Sequence, residues 1–229
     1  MYSKIDLTGK LVSRKVWFTK MKKILLNFVN PIVLCKAWLY HRKNSNFRNA
    51  ASDLELHFYS KILKNDMLHY GYFENTEIES GSISLDAIEQ AQIKYAQNII
   101  DQITAPEDLI LDIGCGMGGL SNMISQKGFR VEALTPNENQ IQYIQSKYPH
   151  IKCYRNKFQN FTTDKKYGTI INSESLKYIP LKKAFDKAEM VVKSGGTWII
   201  SDYFRISDSG LNQSSHLLEN FIQKTKEYG

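Results

Sequence analysis

Asp112-Ile113-Gly114-Cys115-Gly116-Met117-Gly118-Gly119-Leu120 joins a short apolar run to the start of a helix. The run before it, Leu109–Ile113, reads as a buried strand of continuous apolar character. The helix after it is predicted over 120–126 and closes at Gly128. Glycines between them permit a tight turn and let a ligand approach the backbone closely. Downstream the pattern alternates. Strands are predicted over 130–134, 151–154, 169–172 and 198–203, and helices over 137–147 and 181–192. The second helix is predicted to close at Ser194-Gly195-Gly196. Strands that alternate with helices imply a parallel sheet covered on both faces. The expectation is therefore an α/β, Rossmann-like, doubly wound sheet. Ligands of such sheets bind at the carboxyl ends of the strands, near the switch point. That directs attention to the loops after Ile113, Leu134, Tyr154 and Asn172.

Upstream, a helix is predicted over 52–63, followed by the aromatic cluster His69-Tyr70-Gly71-Tyr72-Phe73. Ser84 is a good N-cap for a helix carrying Leu85, Ile88, Ala91, Tyr95, Ile99 and Ile100 at helical spacing. The 229 residues suffice for one domain plus an extension. Hydrophobic residues at 42% and charged residues at 23% are globular values. The expected division is a basic N-terminal extension over 1–50 and a domain over 51–229. The charge of +7 is concentrated in the extension, which holds 11 Lys and Arg against one acid, Asp6. The remainder holds 19 basic against 22 acidic residues. A broad nucleic-acid surface on the domain is therefore not expected. Cys35, Cys115 and Cys153 share no ligand spacing, so neither a disulfide framework nor a metal site is expected, and a reducing, cytoplasmic compartment fits.

Residues 10–43 combine Lys10, Arg14, Lys15, Lys20, Lys22 and Lys23 with Val16, Trp17 and Phe18, followed by an interrupted apolar run. That run is too short and broken for a spanning helix, which needs ~20 apolar residues. Two readings stay open: a basic surface helix that touches anionic membrane or covers a lipophilic substrate, or a helix packed on the domain.

Gly114, Gly116 and Gly119 also satisfy the G-x-G-x-x-G pattern of dinucleotide sites. A dinucleotide site wants an acid at the end of the second strand. Thr135 stands there, and Glu132 lies inside the strand. The stretch 112–120 instead resembles motif I of class I S-adenosylmethionine (SAM)-dependent methyltransferases. Val191-Val192-Lys193-Ser194-Gly195-Gly196 is similar to their late L-K-P-G-G turn, with Ser194 where Pro is usual. His69 to Phe73 resembles the H-x-G-Y-W/F segment of the tocopherol-methyltransferase branch. Ser173-Glu174-Ser175-Leu176-Lys177-Tyr178-Ile179-Pro180 resembles its S-x-E-S-x-x-H-M-P segment. Thr135-Pro136-Asn137-Glu138-Asn139-Gln140 is similar to the T-x-S-x-x-Q stretch shared with cyclopropane-fatty-acid synthases. The characteristic cysteine of those synthases has no counterpart in Tyr70-Gly71-Tyr72, which favours simple methylation over ring formation.

The resemblance implies SAM as cofactor and a small, lipophilic acceptor methylated on N, O or C. It implies cofactor contacts at Asp112, Gly114, Cys115, Gly116, Gly118 and Ser173. Thr135 and Gln140 would lie near the ribose and adenine, and Phe158 beside the adenine. Lys157 replaces the acid usual before that apolar position. Tyr70 and Tyr72 would close over the cofactor, or else pack in the core. The acidic Asp112 suits the ammonium of the methionine part, and SAM has no phosphate. Tyr178 stands where the branch carries His. Tyr titrates near ~10 and is a poor base, so an orienting hydroxyl is the better role. Glu174 would hold acceptor or water, or satisfy a nearby backbone group. His69 is a further candidate base, and His216 is expected to be a bystander. Class I methyltransferases usually add an antiparallel strand pair after the fifth strand. With 211–228 read as a helix, the expectation is five strands in the order 3-2-1-4-5 without that pair. Two other functions remain in play: a non-catalytic, membrane-associated binding protein on the same fold, and a nicotinamide-dependent oxidoreductase.

Overall fold

The computed structural model describes residues 65–73, 84–208 and 214–228, together with residues 4–5 and 11–12. The chain divides into two units, 1–54 and 55–229. Of the first, a two-residue antiparallel pair is described, β1 (Lys4–Ile5) with β2 (Leu11–Val12). The expected helix over 52–63 and the basic stretch 10–43, apart from residues 11–12, lie outside the described residues.

The second unit carries a five-stranded parallel sheet of β3 (Leu109–Ile113), β4 (Arg130–Thr135), β5 (Lys152–Arg155), β6 (Tyr167–Ser173) and β7 (Val192–Ser201). Its order is β5-β4-β3-β6-β7, which is 3-2-1-4-5 when counted from β3. The intervening helices are α1 (Leu85–Ile100), α2 (Gly119–Gln126), α3 (Glu138–Lys147), α4 (Leu181–Val191) and α5 (Leu218–Tyr228). Strand alternation distributes side chains to the two faces. Ile110 and Ile171 pack with Ile99, Ile100, Leu120 and Ile124 from α1 and α2. Leu111, Ile113, Leu134 and Ile170 pack with Ala184, Ala188 and Val191 from α4, and Phe221 of α5 rests against them. Ser84 caps α1 by accepting from Ala87 N at 3.1 Å. Asn137 caps α3 by accepting from Asn139 N and Gln140 N, so this helix begins one residue later than predicted.

Two elements differ from expectation. The glycine turn at 194–196 does not lie between α4 and its strand. Instead β7 starts at Val192, pairs with Tyr167, and resumes at Thr197 opposite Thr169, so residues 193–196 form a large bulge with Gly195 at φ +72°. β-bulges absorb extra residues this way without ending the strand. The last helix starts at Leu218 rather than near 211. Before it, Arg205 N donates to His216 O and Leu218 N to Arg205 O, which holds the chain extended. His216 Nε2 lies 2.9 Å from Ile179 O and 3.1 Å from Leu176 O. It therefore donates to that turn and is a structural tie. Among the described residues no helix is long and apolar enough to cross a membrane.

Candidate functional site

A cavity of about 610 Å³ opens at the carboxyl ends of β3, β4, β5 and β6, where the strand order reverses. This is the size and place at which open α/β sheets take small ligands. The loops that form its wall are those singled out after Ile113, Leu134, Tyr154 and Asn172.

The glycine loop is fixed from both sides. Gly114 N and Cys115 N both donate to Leu134 O, at 2.7 and 3.2 Å. Gly114 has φ +76°, and a Cβ there would meet Ser175 Cβ at 2.5 Å. Ser175 is itself held in place. Trp198 Nε1 donates to Asn172 Oδ1 at 2.9 Å, Asn172 Nδ2 to Ser175 Oγ at 2.8 Å, and Ser175 Oγ to Ile113 O at 2.5 Å. This relay seats the turn after β6 on the end of β3. Only a glycine fits between them.

Asp112, the penultimate residue of β3, has a buried carboxyl that accepts from the Ser121 hydroxyl at 2.5 Å. Burial pushes its pKa up to about 6, against the opposing effect of Ser121. Such a carboxylate favours a cationic partner. An anion is disfavoured here. The start of α2, the helix end that would face a pyrophosphate, is crowded by main-chain oxygens. A Cβ on Gly119 would meet Asn65 O at 2.5 Å and Asp66 O at 2.8 Å. Glu132 is also committed elsewhere. It accepts from Lys165 Nζ at 2.5 Å, Tyr167 Oη at 2.9 Å and Tyr154 Oη at 3.1 Å, beneath the sheet end. It cannot serve a ribose.

Thr135 and Gln140 come together at the cavity wall, with the Thr135 hydroxyl donating to Gln140 Oε1 at 2.5 Å. That bond orients the Gln140 amide. Phe158 is buried in the wall beside the exposed Lys157. Glu174 has φ +50°, an uncommon conformation for a residue with a side chain. Its N donates to Ser201 O at 2.8 Å, and its Oε1 accepts from Tyr70 N at 3.1 Å. Burial pushes its pKa up, and the Tyr70 N–H and Lys177 pull the other way. Ser173 lines the cavity, its hydroxyl 3.4 Å from Tyr95 Oη.

The remaining wall is residues 66–70, of which the sequence marks only His69 and Tyr70. Gln92, buried on α1, donates to Met67 O at 3.1 Å and His69 O at 2.7 Å, and accepts from Asn65 Nδ2 at 3.0 Å. Asp66 is buried with φ +55° and accepts from Tyr143 Oη at 2.8 Å, Tyr148 Oη at 2.5 Å and Lys147 Nζ at 2.5 Å, all from α3 or its cap. The segment is thus anchored at both flanks of the cleft.

Three expected site residues sit differently from expectation. Gly118 does not face the cavity. It caps α2 at φ +86°, and a Cβ there would meet Ile144 and Tyr148. Tyr72 is 47% exposed and lies outside the cavity wall, its N donating to Ala91 O. His69 lines the cleft, but both ring nitrogens are buried without a hydrogen-bond partner, and the ring stacks on Tyr95 at 4.2 Å. Burial lowers its pKa to about 4, so it is neutral at pH 7 and a weak proton acceptor. Tyr70 and Tyr178 are at the mouth, 75% and 76% exposed, which removes core packing as Tyr70's role. Lys177 was passed over. It lines the cleft, donates to Tyr203 Oη at 2.9 Å, and lies 5.3 Å from the Tyr178 ring centre. Cys115, Gly116 and Thr135 line the cavity. No group of three or more metal-ligating side chains occurs among the described residues.

Residues 110–196 match the family model described as a methyltransferase domain. That stretch of the chain is similar to a methyltransferase domain. The chain is 26% identical over 156 residues to the sterol 4-C-methyltransferase of Caenorhabditis elegans, covering 63% of this chain and 43% of that protein. It is 26% identical over 175 residues to geranyl diphosphate 2-C-methyltransferase of Streptomyces coelicolor, covering 72% and 60%. The crystal structure of the Streptomyces enzyme with Mg²⁺, geranyl-S-thiolodiphosphate and S-adenosylhomocysteine (SAH) superposes with a TM-score of 0.62 at 17% identity, covering 73% of this chain and 71% of that one. That likeness shows the Rossmann-like fold. The chain spans about half the length of the curated relatives it matches.

Proposed function

We propose that this domain binds SAM and transfers its methyl group to an N, O or C atom of a small, lipophilic acceptor. The observation that carries the reading is the wall itself. The cleft presents a buried carboxylate (Asp112), a glycine loop held against Leu134, an oriented amide (Gln140) and a buried aromatic ring (Phe158) within one cavity of about 610 Å³. These groups match an ammonium, a ribose and a base. The oxygen-lined start of α2 does not match a pyrophosphate, which counts against a nicotinamide cofactor. Both relatives named above carry a carbon acceptor in their names, and this favours carbon among the three atoms.

SAM supplies a methyl group already activated by its sulfonium. The protein aligns the partners and excludes water. Asp112 holds the ammonium, and Gln140, fixed by Thr135, orients the ribose. The segment 66–70 covers the cleft. Glu174 places a carboxylate at the acceptor end. If the acceptor carbon becomes cationic on methylation, Glu174 is the group positioned to take its proton. Tyr178 and Lys177 form the entrance. The reading is tested by incubating the full chain with SAM and a lipid extract and searching by mass spectrometry for a metabolite that gains one methyl group. Glu174→Gln is expected to keep SAH binding while lowering turnover by ~10²-fold or more. Equal turnover in the variant would remove Glu174 from the chemistry. Absence of SAM consumption with every acceptor pool would overturn methyl transfer. Residues 10–43 are proposed to hold the protein at an anionic membrane. Loss of liposome sedimentation on replacing Lys20, Lys22 and Lys23 would support that.

A further inference from the structure

Two thiols from different elements meet beneath the glycine loop. Cys115 Sγ lies 3.9 Å from Cys153 Sγ, and both cysteines are free. The strand register explains the meeting. Asp112 pairs with Ala133 on β4, and Ala133 pairs with Cys153 on β5. Three residues past Asp112, the loop returns over β4, where the small Ala133 leaves room for two sulfurs. Ile144 and Ile151 close the cluster, with Tyr148 against it. Cys115 is buried and Cys153 is half-buried, so one thiol of the pair is open to a small reagent.

We propose that Cys115 and Cys153 form a reversible intramolecular disulfide that locks the glycine loop and weakens cofactor binding. The loss of affinity rests on the reading of the cleft as a SAM site, whereas the crosslink itself does not. A disulfide has its sulfurs ~2.05 Å apart, so closing the gap from 3.9 Å brings the two sulfurs about 2 Å nearer each other. Cys153 sits within a paired strand, so Cys115 on the loop is the side that moves. Cys115 N holds the loop to Leu134 O by the longer of its two bonds there, and Cys115 O accepts from Gly118 N at 2.9 Å. Pulling Cys115 toward β5 strains both bonds and shifts the loop that faces the cofactor.

The oxidant is a low-molecular-weight disulfide such as oxidised glutathione. The Cys153 thiolate attacks one of its sulfurs and releases one thiol. The Cys115 thiolate then displaces the second thiol from Cys153 Sγ. One S–S bond breaks and one forms, and two protons pass from the protein thiols to the two released thiols. The Cys115 thiol is held well above its usual range by Cys153, by burial and by Asp112. The closing step is therefore expected to accelerate as pH rises.

The test uses the full chain titrated with oxidised glutathione, alkylated, and digested without reductant. The expected result is a Cys115–Cys153-linked peptide, formed equally in a Cys35→Ser background and reversed by dithiothreitol. Oxidised protein is expected to bind SAH at least about tenfold more weakly than reduced protein, about 1.4 kcal/mol. Cys153→Ser should bind SAH like reduced wild type and ignore the oxidant. Amide exchange at 115–118 is expected to change only on oxidation of wild type. Single mixed disulfides without the linked peptide would overturn the proposal. So would a linked peptide that leaves SAH affinity and loop exchange unaltered. If reduced protein does not bind SAH at all, the SAM reading fails, while peptide mapping and loop exchange still decide the lock.

Discussion

Gly114 shows how one residue joins the fold to the site. Its positive φ and the 2.5 Å approach of Ser175 Cβ leave no space for a side chain. Gly114→Val is expected to displace the turn at 173–175 and lower SAH affinity by more than ~10-fold, or ~1.4 kcal/mol, in a calorimetric titration. An unchanged affinity would disconnect the loop from the ligand. Asp112 gives a pH prediction. Its pKa in the free protein is raised to about 6, above the ordinary 3.8. Relative to the unfolded chain, its contribution to stability is fully present below pH 3.8 and is lost as pH rises through 6. A bound ammonium favours the ionised form, so SAH affinity is expected to fall as pH drops through about 6. Asp112→Asn should bind more weakly at pH 7.5 and lose that dependence. Glu132 has the opposite sign. Burial raises its pKa, but hydrogen bonds from Lys165, Tyr167 and Tyr154 outweigh it, and the net shift is downward from 4.5. Its contribution to stability is present above 4.5 and lost as pH falls through the folded-state value. The difference in melting temperature between wild type and Glu132→Gln is expected to shrink steadily below pH 4.5.

At the scale of elements, the strands and most helices were legible because apolar runs and glycine stops mark them directly. The bulge at 193–196 was not. Ser194-Gly195-Gly196 reads as a helix stop, yet here it lets β7 pair with Tyr167 before and Thr169 after it. The anchoring of 65–70 was equally hidden. Gln92 falls among the apolar positions of α1 and reads as a solvated side chain, but it is 2% exposed and caps two carbonyls. Asp66 precedes the aromatic cluster without any pattern, and its partners Tyr143, Lys147 and Tyr148 are about eighty residues away. Pairings across that separation leave no periodicity. Gln92→Leu is expected to destabilise the protein by ~1–3 kcal/mol, because Met67 O and His69 O lose their donor. Hydrogen exchange at residues 66–70 should quicken more than exchange in β3. Uniform quickening would make Gln92 a general core residue rather than an anchor of this segment.

Across the whole molecule, motif order in the sequence was a better guide than any one motif. The glycine loop alone fits two cofactors. Alternation implies the parallel sheet and the resemblance its order 3-2-1-4-5, and the switch point places the loops after β3, β4, β5 and β6 around one cavity. What the pattern could not give was side-chain direction. Gly118 and Tyr72 belong to the right motifs yet face α3 and solvent, and His69 turns both nitrogens into the core. The central claim is that this cleft is built for a nucleoside joined to an amino acid through sulfur, without phosphate. It is tested most directly by titrating the full, reduced chain with SAH and, separately, with NAD and NADP in a calorimeter. The account predicts saturable one-to-one binding of SAH, weakened by Gly114→Val, and no heat from either dinucleotide. Saturable binding of a dinucleotide with none of SAH would contradict it.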